Sequence, residues 1–158
     1  VGAAHTLDME KEEQMLQLLV VTPTQLCKCC LRDMYKRGSG KILNVASVGA
    51  FQPGPYTASY YASKSYLYQY SQAIRLEAKK QGVQVCTLCP GSTRTHFFEK
   101  TGAKTPIWAM SPERVAKEAW EGLNADKAVV VPGMINRLLR LVPAQIKAYG
   151  VALLKKHT

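Results

Sequence analysis

Helical spacing of apolar residues predicts two long helices in the first half of the chain. Between about residues 8 and 37, apolar side chains recur mostly at three- and four-residue steps, behind a leading group of acidic residues. Acidic side chains favour the first turn of a helix, and the spacing is typical of a helix with one buried face. Pro23 interrupts this helix and is expected to kink it. A second helix is predicted from about 58 to 80, and Gly82 ends it.

Two more helices are predicted in the second half. Ser111, Pro112 and Glu113 form a strong helix start, because the serine caps the backbone, the proline suits the first helical position and the acid complements the helix dipole. From Arg137 onward, a basic and leucine-rich stretch predicts the last helix, which Pro143 and Gly150 are expected to break.

Short apolar runs between these helices predict three strands, "KILNVAS", "VQVCTLC" and "KAVVVPG". Continuous apolar runs that alternate with helices are typical of a parallel sheet covered on both faces. The expected fold class is therefore α/β, a doubly wound parallel sheet with about three strands and four helices. A sheet this small would have bare edges, so we expect the chain to be the C-terminal half of such a domain, with its N-terminal half absent.

Composition limits the chain to one domain, residues 1–158, and says little about partners. The 21 Lys+Arg residues exceed the 11 Asp+Glu residues and give a formal charge of +10, but the basic residues are scattered rather than arranged in a stripe with aromatics. Nucleic acid is therefore not the expected partner. No apolar run reaches the ~18–20 residues that span a bilayer, and no signal peptide opens the sequence. A cytoplasmic location is expected.

The C-terminal segment leaves a membrane alternative open. Its basic, leucine-rich helix could lie peripherally on an anionic membrane, although a helix that covers the sheet or reaches a neighbouring subunit fits equally well. The last four residues, 155–158, also resemble a dilysine retrieval signal. The alternative location is accordingly the surface of the endoplasmic reticulum or of another organelle.

Five cysteines include two C-x-x-C pairs, Cys27/Cys30 and Cys86/Cys89. The second pair falls in a predicted strand, where residues three apart point to opposite faces and cannot chelate one ion. We therefore predict no metal site and expect reduced, mostly buried thiols.

The stretch "ASYYASKSY" offers candidate chemistry at the start of the second helix. Tyr60 and Lys64 are four residues apart and share a helix face, whereas Tyr61 points about 100° away. An ammonium beside a phenol favours the phenolate, so Lys64 is expected to lower the pKa of Tyr60. Ser47 closes the strand before this helix, at the sheet edge where such folds bind ligands.

This arrangement resembles the short-chain dehydrogenase/reductase family over essentially the whole chain. The resemblance rests on the Y-x-x-x-K motif from Tyr60 to Lys64, the serine thirteen residues earlier, and the P-G turn in "CPGSTRTHFF". The tail "VVVPGMINRLL" resembles ketoacyl- and hydroxysteroid-dehydrogenase-like members. The resemblance implies a Rossmann-like fold and assembly into a homo-oligomer or a larger complex, with dimerisation through the helices at 8–37 and 58–80.

The family reading also implies an activity, hydride transfer between NADP or NAD and a ketone or secondary alcohol. Tyr60 would be the general acid/base, Lys64 would bond the nicotinamide ribose and Ser47 would orient the carbonyl. The cofactor-binding residues would be Tyr60, Lys64, Pro90, Gly91, Thr93 and Thr95. The substrate-binding residues would be Ser47, Tyr60, His96 and Phe97. Aromatic residues in the segment 97–110, including Phe98 and Trp108, favour an apolar small-molecule substrate.

Two departures from the family pattern support a competing hypothesis. Leu19 stands where the family usually has an asparagine that holds a water in the proton path, and the glycine-rich dinucleotide loop is absent from the sequence. The alternative is a non-catalytic, degenerate subunit that serves as a structural or interaction part of a larger complex.

Overall fold

Strands and helices alternate along the chain as predicted. The structure, a computed structural model, describes residues 1–96 and 105–155. The elements are α1 (Met9–Leu16), a π-helical turn (Gln17–Val21), α2 (Thr22–Arg37), β1 (Gly40–Val45), α3 (Ala58–Lys79), β2 (Val83–Leu88), α4 (Pro112–Asn124), β3 (Val129–Val130), α5 (Met134–Leu139) and α6 (Ala144–Lys155), with short 3₁₀ turns at Ala4–Thr6 and Val48–Phe51.

The three strands form one parallel sheet in the order β1-β2-β3. β1 and β2 pair in register from Gly40 opposite Val83 to Val45 opposite Leu88, while β3 pairs with β2 over only two residues. Parallel strands need crossover helices, and here α3 and α4 supply them. The predicted α/β parallel architecture is confirmed.

Helices cover both faces of the central strand β2. Val83 and Val85 pack with residues of α2 and α3 in one core cluster, whereas Cys86 and Leu88 pack with α4 in another. Cys89, beyond the strand, belongs to a third cluster. Cys86 and Cys89 are both free thiols, and the described part of the chain holds no group of three or more potential metal ligands.

The first predicted helix is interrupted just before Pro23 rather than at it. In the π-helical turn, the Thr22 N–H bonds the Gln17 carbonyl five residues back instead of four. Proline has no N–H to donate to the Leu19 carbonyl four residues earlier, so the regular ladder cannot pass this point unchanged. The turn packs against α3.

The last predicted helix is two helices, and it begins earlier than expected. α5 starts at Met134, directly after Gly133 at φ +81°, and α6 starts after Pro143. Proline cannot continue a helix, which explains the break at Pro143. Gly150 lies inside α6, so the expected second break is wrong. Among the helices in residues 1–96 and 105–155, none has the length and apolar character to cross a membrane.

Two glycines with positive φ give a test of the fold. Gly38 ends α2 at φ +67° in open space, whereas a Cβ on Gly82, at φ +72°, would lie 2.2 Å from the Gly38 carbonyl oxygen. We expect Gly38→Ala to lower the free energy of unfolding by about 1 kcal/mol through backbone strain alone. Gly82→Ala adds a backbone overlap and should cost at least about 2 kcal/mol more. Urea denaturation of both variants checks this, and equal losses would contradict it.

Candidate active site

Ser47 is positioned by pairing that continues beyond the strands. The Ala46 N–H bonds the Leu88 carbonyl, and the Val48 N–H bonds the Pro90 carbonyl at 3.0 Å. Ser47 thus lies at the carboxyl edge of the sheet, beside the loop that begins at Pro90. There it caps the 3₁₀ turn Val48–Phe51, and its Oγ accepts the Gly49 N–H at 3.1 Å.

Tyr60 and Lys64 lie on the first turns of α3 and face this edge. The Lys64 Nζ is 5.9 Å from the centroid of the Tyr60 ring, and the Ser47 side chain lies close enough to the Tyr60 hydroxyl to lower its pKa. Lys64 donates to the Val45 carbonyl at 2.9 Å, so the lysine is anchored to the last residue of β1. The structure therefore brings Ser47, Tyr60 and Lys64 together, while their chemical roles remain predictions.

Tyr61 has a packing position instead. Its ring fills the space beside Gly54, where a Cβ would lie 2.2 Å from the ring carbons, and it also contacts Gly49. The rings of Tyr60 and Tyr61 meet edge to face with centroids 5.9 Å apart. The ring of Tyr61 thus holds the loop between Ser47 and α3 in place.

Burial controls the titration of the site. It raises the pKa of the Tyr60 phenol above its ordinary value, because a phenolate loses hydration there, and the nearby Ser47 side chain lowers this pKa only in part. Burial also lowers the pKa of Lys64. The expectation that Lys64 lowers the pKa of Tyr60 below its usual range is therefore wrong in this structure, where the ammonium is directed to the Val45 carbonyl.

In the loop after β2, Pro90 lies next to Ser47, whereas the two threonines bond to the loop's own backbone. Pro90 lies beside Ser47, and Gly91 allows the close approach of Asn136, whose Oδ1 would be 2.5 Å from a Cβ there. The Thr93 hydroxyl donates to the Gly91 carbonyl at 3.1 Å, and the Thr95 hydroxyl donates to the Thr93 carbonyl at 3.5 Å.

The substrate-side residues are less defined. Thr95 and His96 are exposed. Phe97 and Phe98 lie outside the described residues. Trp108, which was expected in an apolar lid, is 71% exposed.

Three groups near the site were not predicted from the sequence. The Val45 carbonyl and the Gly49 N–H are backbone atoms, and only their places next to Ser47 hint at them. The third is Lys155, whose Nζ donates to the Thr57 hydroxyl at 2.9 Å and lies 5.1 Å from the Tyr61 ring centroid. No local pattern joins residues about a hundred positions apart.

Comparison with known proteins identifies the family. The family model described as short chain dehydrogenase matches residues 1–106. The chain belongs to this family.

Two curated relatives are named as hydroxysteroid dehydrogenases. This short-chain dehydrogenase chain is 28% identical over 140 residues to the 7beta-hydroxysteroid dehydrogenase of Clostridium sardiniense, which covers 87% of the chain and 53% of that protein. It is 33% identical over 145 residues to 17-beta-hydroxysteroid dehydrogenase 13 of Mus musculus, covering 85% of the chain and 47% of the relative. The chain thus spans about half the length of these relatives.

Solved structures confirm the Rossmann fold of the family. A short-chain dehydrogenase from Sphingobium yanoikuyae in complex with NADPH superposes with a TM-score of 0.81 at 24% identity, over 94% of this chain and 60% of that one. One from Burkholderia cenocepacia in complex with NADP gives 0.81 at 17% identity, over 95% and 62%. At these identities the likeness establishes the fold alone.

The effect of Ser47 on the pKa of Tyr60 in this short-chain dehydrogenase can be tested by titration. Removing it with Ser47→Ala takes away an interaction that favours the phenolate, so the pKa of Tyr60 should rise further. NMR of carbon-labelled tyrosine would follow the titration, with the Tyr60 signal assigned by its loss in Tyr60→Phe. Ser65→Ala is the matched control, since Ser65 donates to the Ala50 carbonyl instead. A pKa that falls or stays fixed in Ser47→Ala would contradict the assignment.

Proposed function

We propose that the chain is the catalytic portion of an NADP- or NAD-dependent oxidoreductase that interconverts a ketone and a secondary alcohol. The observation that carries the proposal is the proximity of the Ser47 side chain to the Tyr60 hydroxyl, with Lys64 one helical turn away, at the carboxyl edge of a parallel sheet. Ligands of open α/β sheets bind at this edge. Family membership supports the reaction class.

The residues present fit the nicotinamide end of such a cofactor. Lys64 and Tyr60 offer donors beside the loop that starts at Pro90, and the Val48 to Pro90 hydrogen bond holds that loop next to Ser47. Lys64 would bond the ribose, and the loop including Thr93 and Thr95 would border the nicotinamide. A bound nicotinamide cofactor would supply the hydride chemistry.

The proposed role of Tyr60 is that of a proton donor. Because burial raises the pKa of its phenol, Tyr60 is protonated at neutral pH in this structure. The Ser47 hydroxyl, which lies beside the phenol, would orient the substrate carbonyl, whose oxygen would receive the phenolic proton. This protonation state suits carbonyl reduction better than alcohol oxidation at neutral pH.

The substrate is proposed to be apolar. Two relatives carry hydroxysteroid dehydrogenase names. Apolar side chains next to the site, including Phe51 in the loop after Ser47, add support.

Adjacent tyrosines provide a matched test of this function. Tyr60→Phe removes the proton donor and should lower kcat/KM for ketone reduction by about 10²–10⁴-fold. Tyr61→Phe keeps the ring that packs on Gly54, so it should retain most of the activity. The measurement is NADPH or NADH consumption by the purified protein with apolar ketones. If Tyr60→Phe and the parent turned over at the same rate, the assignment would be wrong.

A non-catalytic role is the second candidate, and Leu19 favours it. Leu19 lies in the π-helical turn that packs against α3, the helix of Tyr60 and Lys64. Its side chain offers no hydrogen bond to a water in a proton path. Failure of the parent protein to bind NADPH or NADH in a fluorescence titration would support this candidate over the enzyme.

Replacing Leu19 with asparagine tests whether the missing amide limits proton transfer. If Leu19 weakens proton relay, Leu19→Asn should raise kcat by roughly tenfold with little change in KM, in line with the lower range of proton-transfer effects. Leu18→Asn is the control, because Leu18 is in the same turn and 66% exposed. An equal gain in both variants would point to solubility rather than proton transfer.

A further inference from the structure

Helix α6 exposes its large apolar side chains and turns its lysines toward the rest of the domain. Its less exposed side runs along Ala144, Lys147, Ala148, Val151, Ala152 and Lys155, at helical spacing. Its exposed side carries Ile146, Tyr149, Leu153 and Leu154, which are 61%, 75%, 73% and 78% exposed. A helix on the surface of a soluble domain normally turns its leucines inward and its lysines outward.

The inward lysines fix this orientation. The Lys147 Nζ donates to the Phe51 carbonyl at 3.4 Å, and the Lys155 Nζ donates to the Thr57 hydroxyl at 2.9 Å. Just before α6, the Arg140 guanidinium lies 4.8 Å from the centroid of the Phe51 ring. These cations hold the C-terminal segment across the loop that joins Ser47 to α3.

The exposed apolar surface extends beyond α6. Five more large apolar residues between positions 134 and 141 are at least 51% exposed, and Leu141 is the most exposed of them at 80%. Exposed apolar side chains concentrated in one segment of the chain are typical of a contact with another protein or a membrane. We call the nine exposed apolar side chains between 134 and 154 the C-terminal apolar surface.

Charge distinguishes the possible occupants. Residues 127–158 contain six lysine or arginine residues and no aspartate or glutamate. Two copies meeting through this segment would bring like charges together, which opposes self-association. A bilayer of anionic phospholipid offers an apolar interior for the leucines and negative head groups for the cations.

We infer that the C-terminal apolar surface docks the protein peripherally on an anionic phospholipid bilayer. Ile146, Tyr149, Leu153 and Leu154 enter the interface, and the exposed Arg137 and Arg140 at the end of α5 face the head groups. Since the inner side of α6 contacts the loop between Ser47 and Tyr60, docking places the catalytic edge beside the membrane. The consequence that an apolar substrate arrives from the bilayer rests on the proposed function, whereas membrane binding does not.

Sedimentation with vesicles tests the inference on the full chain. We expect the protein to bind vesicles of phosphatidylcholine mixed with phosphatidylserine, and to bind pure phosphatidylcholine much less. Raising salt should weaken binding, because the Debye length falls from about 10 Å at 0.1 M to about 3 Å at 1 M. Leu153→Ser combined with Leu154→Ser should weaken binding about tenfold or more, since two apolar side chains leave the interface.

A matched control separates this surface from general stickiness. Leu76 on α3 is 73% exposed, the same as Leu153, so Leu76→Ser should leave vesicle binding unchanged. Tyr149→Trp gives a second readout, because the new fluorophore should be quenched by brominated lipids while Leu76→Trp is not. Circular dichroism of each variant confirms that the fold is retained.

Three results would overturn the inference. These are absence of binding to the anionic vesicles, an equal loss in Leu76→Ser, or a change from dimer to monomer by light scattering when Leu153 and Leu154 are replaced. The test is independent of the enzyme proposal, because Tyr60→Phe should bind vesicles as the parent does. An inactive protein that binds vesicles would refute only the proposed function.

Discussion

The parallel pairing of β1 with β2 is the constraint on which the candidate site depends. Pairing continues past the strand ends, from Ala46 to Leu88 and from Val48 to Pro90. It therefore sets Ser47 and the Pro90 loop side by side at one edge. α3 crosses back over the sheet between these two strands, and its first turns bring Tyr60 and Lys64 to the same edge.

At this edge, burial changes the pKa of the Tyr60 phenol more than the neighbouring Lys64 amine does. The distance from the Lys64 Nζ to the Tyr60 ring would allow attraction, but the amine is hydrogen-bonded to the Val45 carbonyl and is itself partly desolvated. Desolvation of both groups favours their neutral forms. The site thus rests with a protonated phenol, and Ser47 provides the polar contact that moderates this effect.

The sequence was sufficient for the architecture because each element has a local cause. Continuous apolar runs gave parallel strands, Ser111 and Pro112 gave the start of α4, and the spacing of Tyr60 and Lys64 gave their shared face. The π-helical turn and the split after Pro143 were anticipated only as irregularities. Their form depends on which carbonyl accepts each N–H, and composition does not specify that choice.

Long-range contacts were beyond the sequence for a different reason. Lys155 and Thr57 are joined only because α6 folds back over the loop after Ser47, and no spacing rule relates them. The orientation of α6 also opposed the usual rule, since a basic, leucine-rich helix is expected to bury its leucines. Here Lys147 and Lys155 donate inward hydrogen bonds, and the apolar side of the helix is exposed instead. The same two lysines therefore contact the loop near Tyr60 and keep the polar side of α6 turned inward.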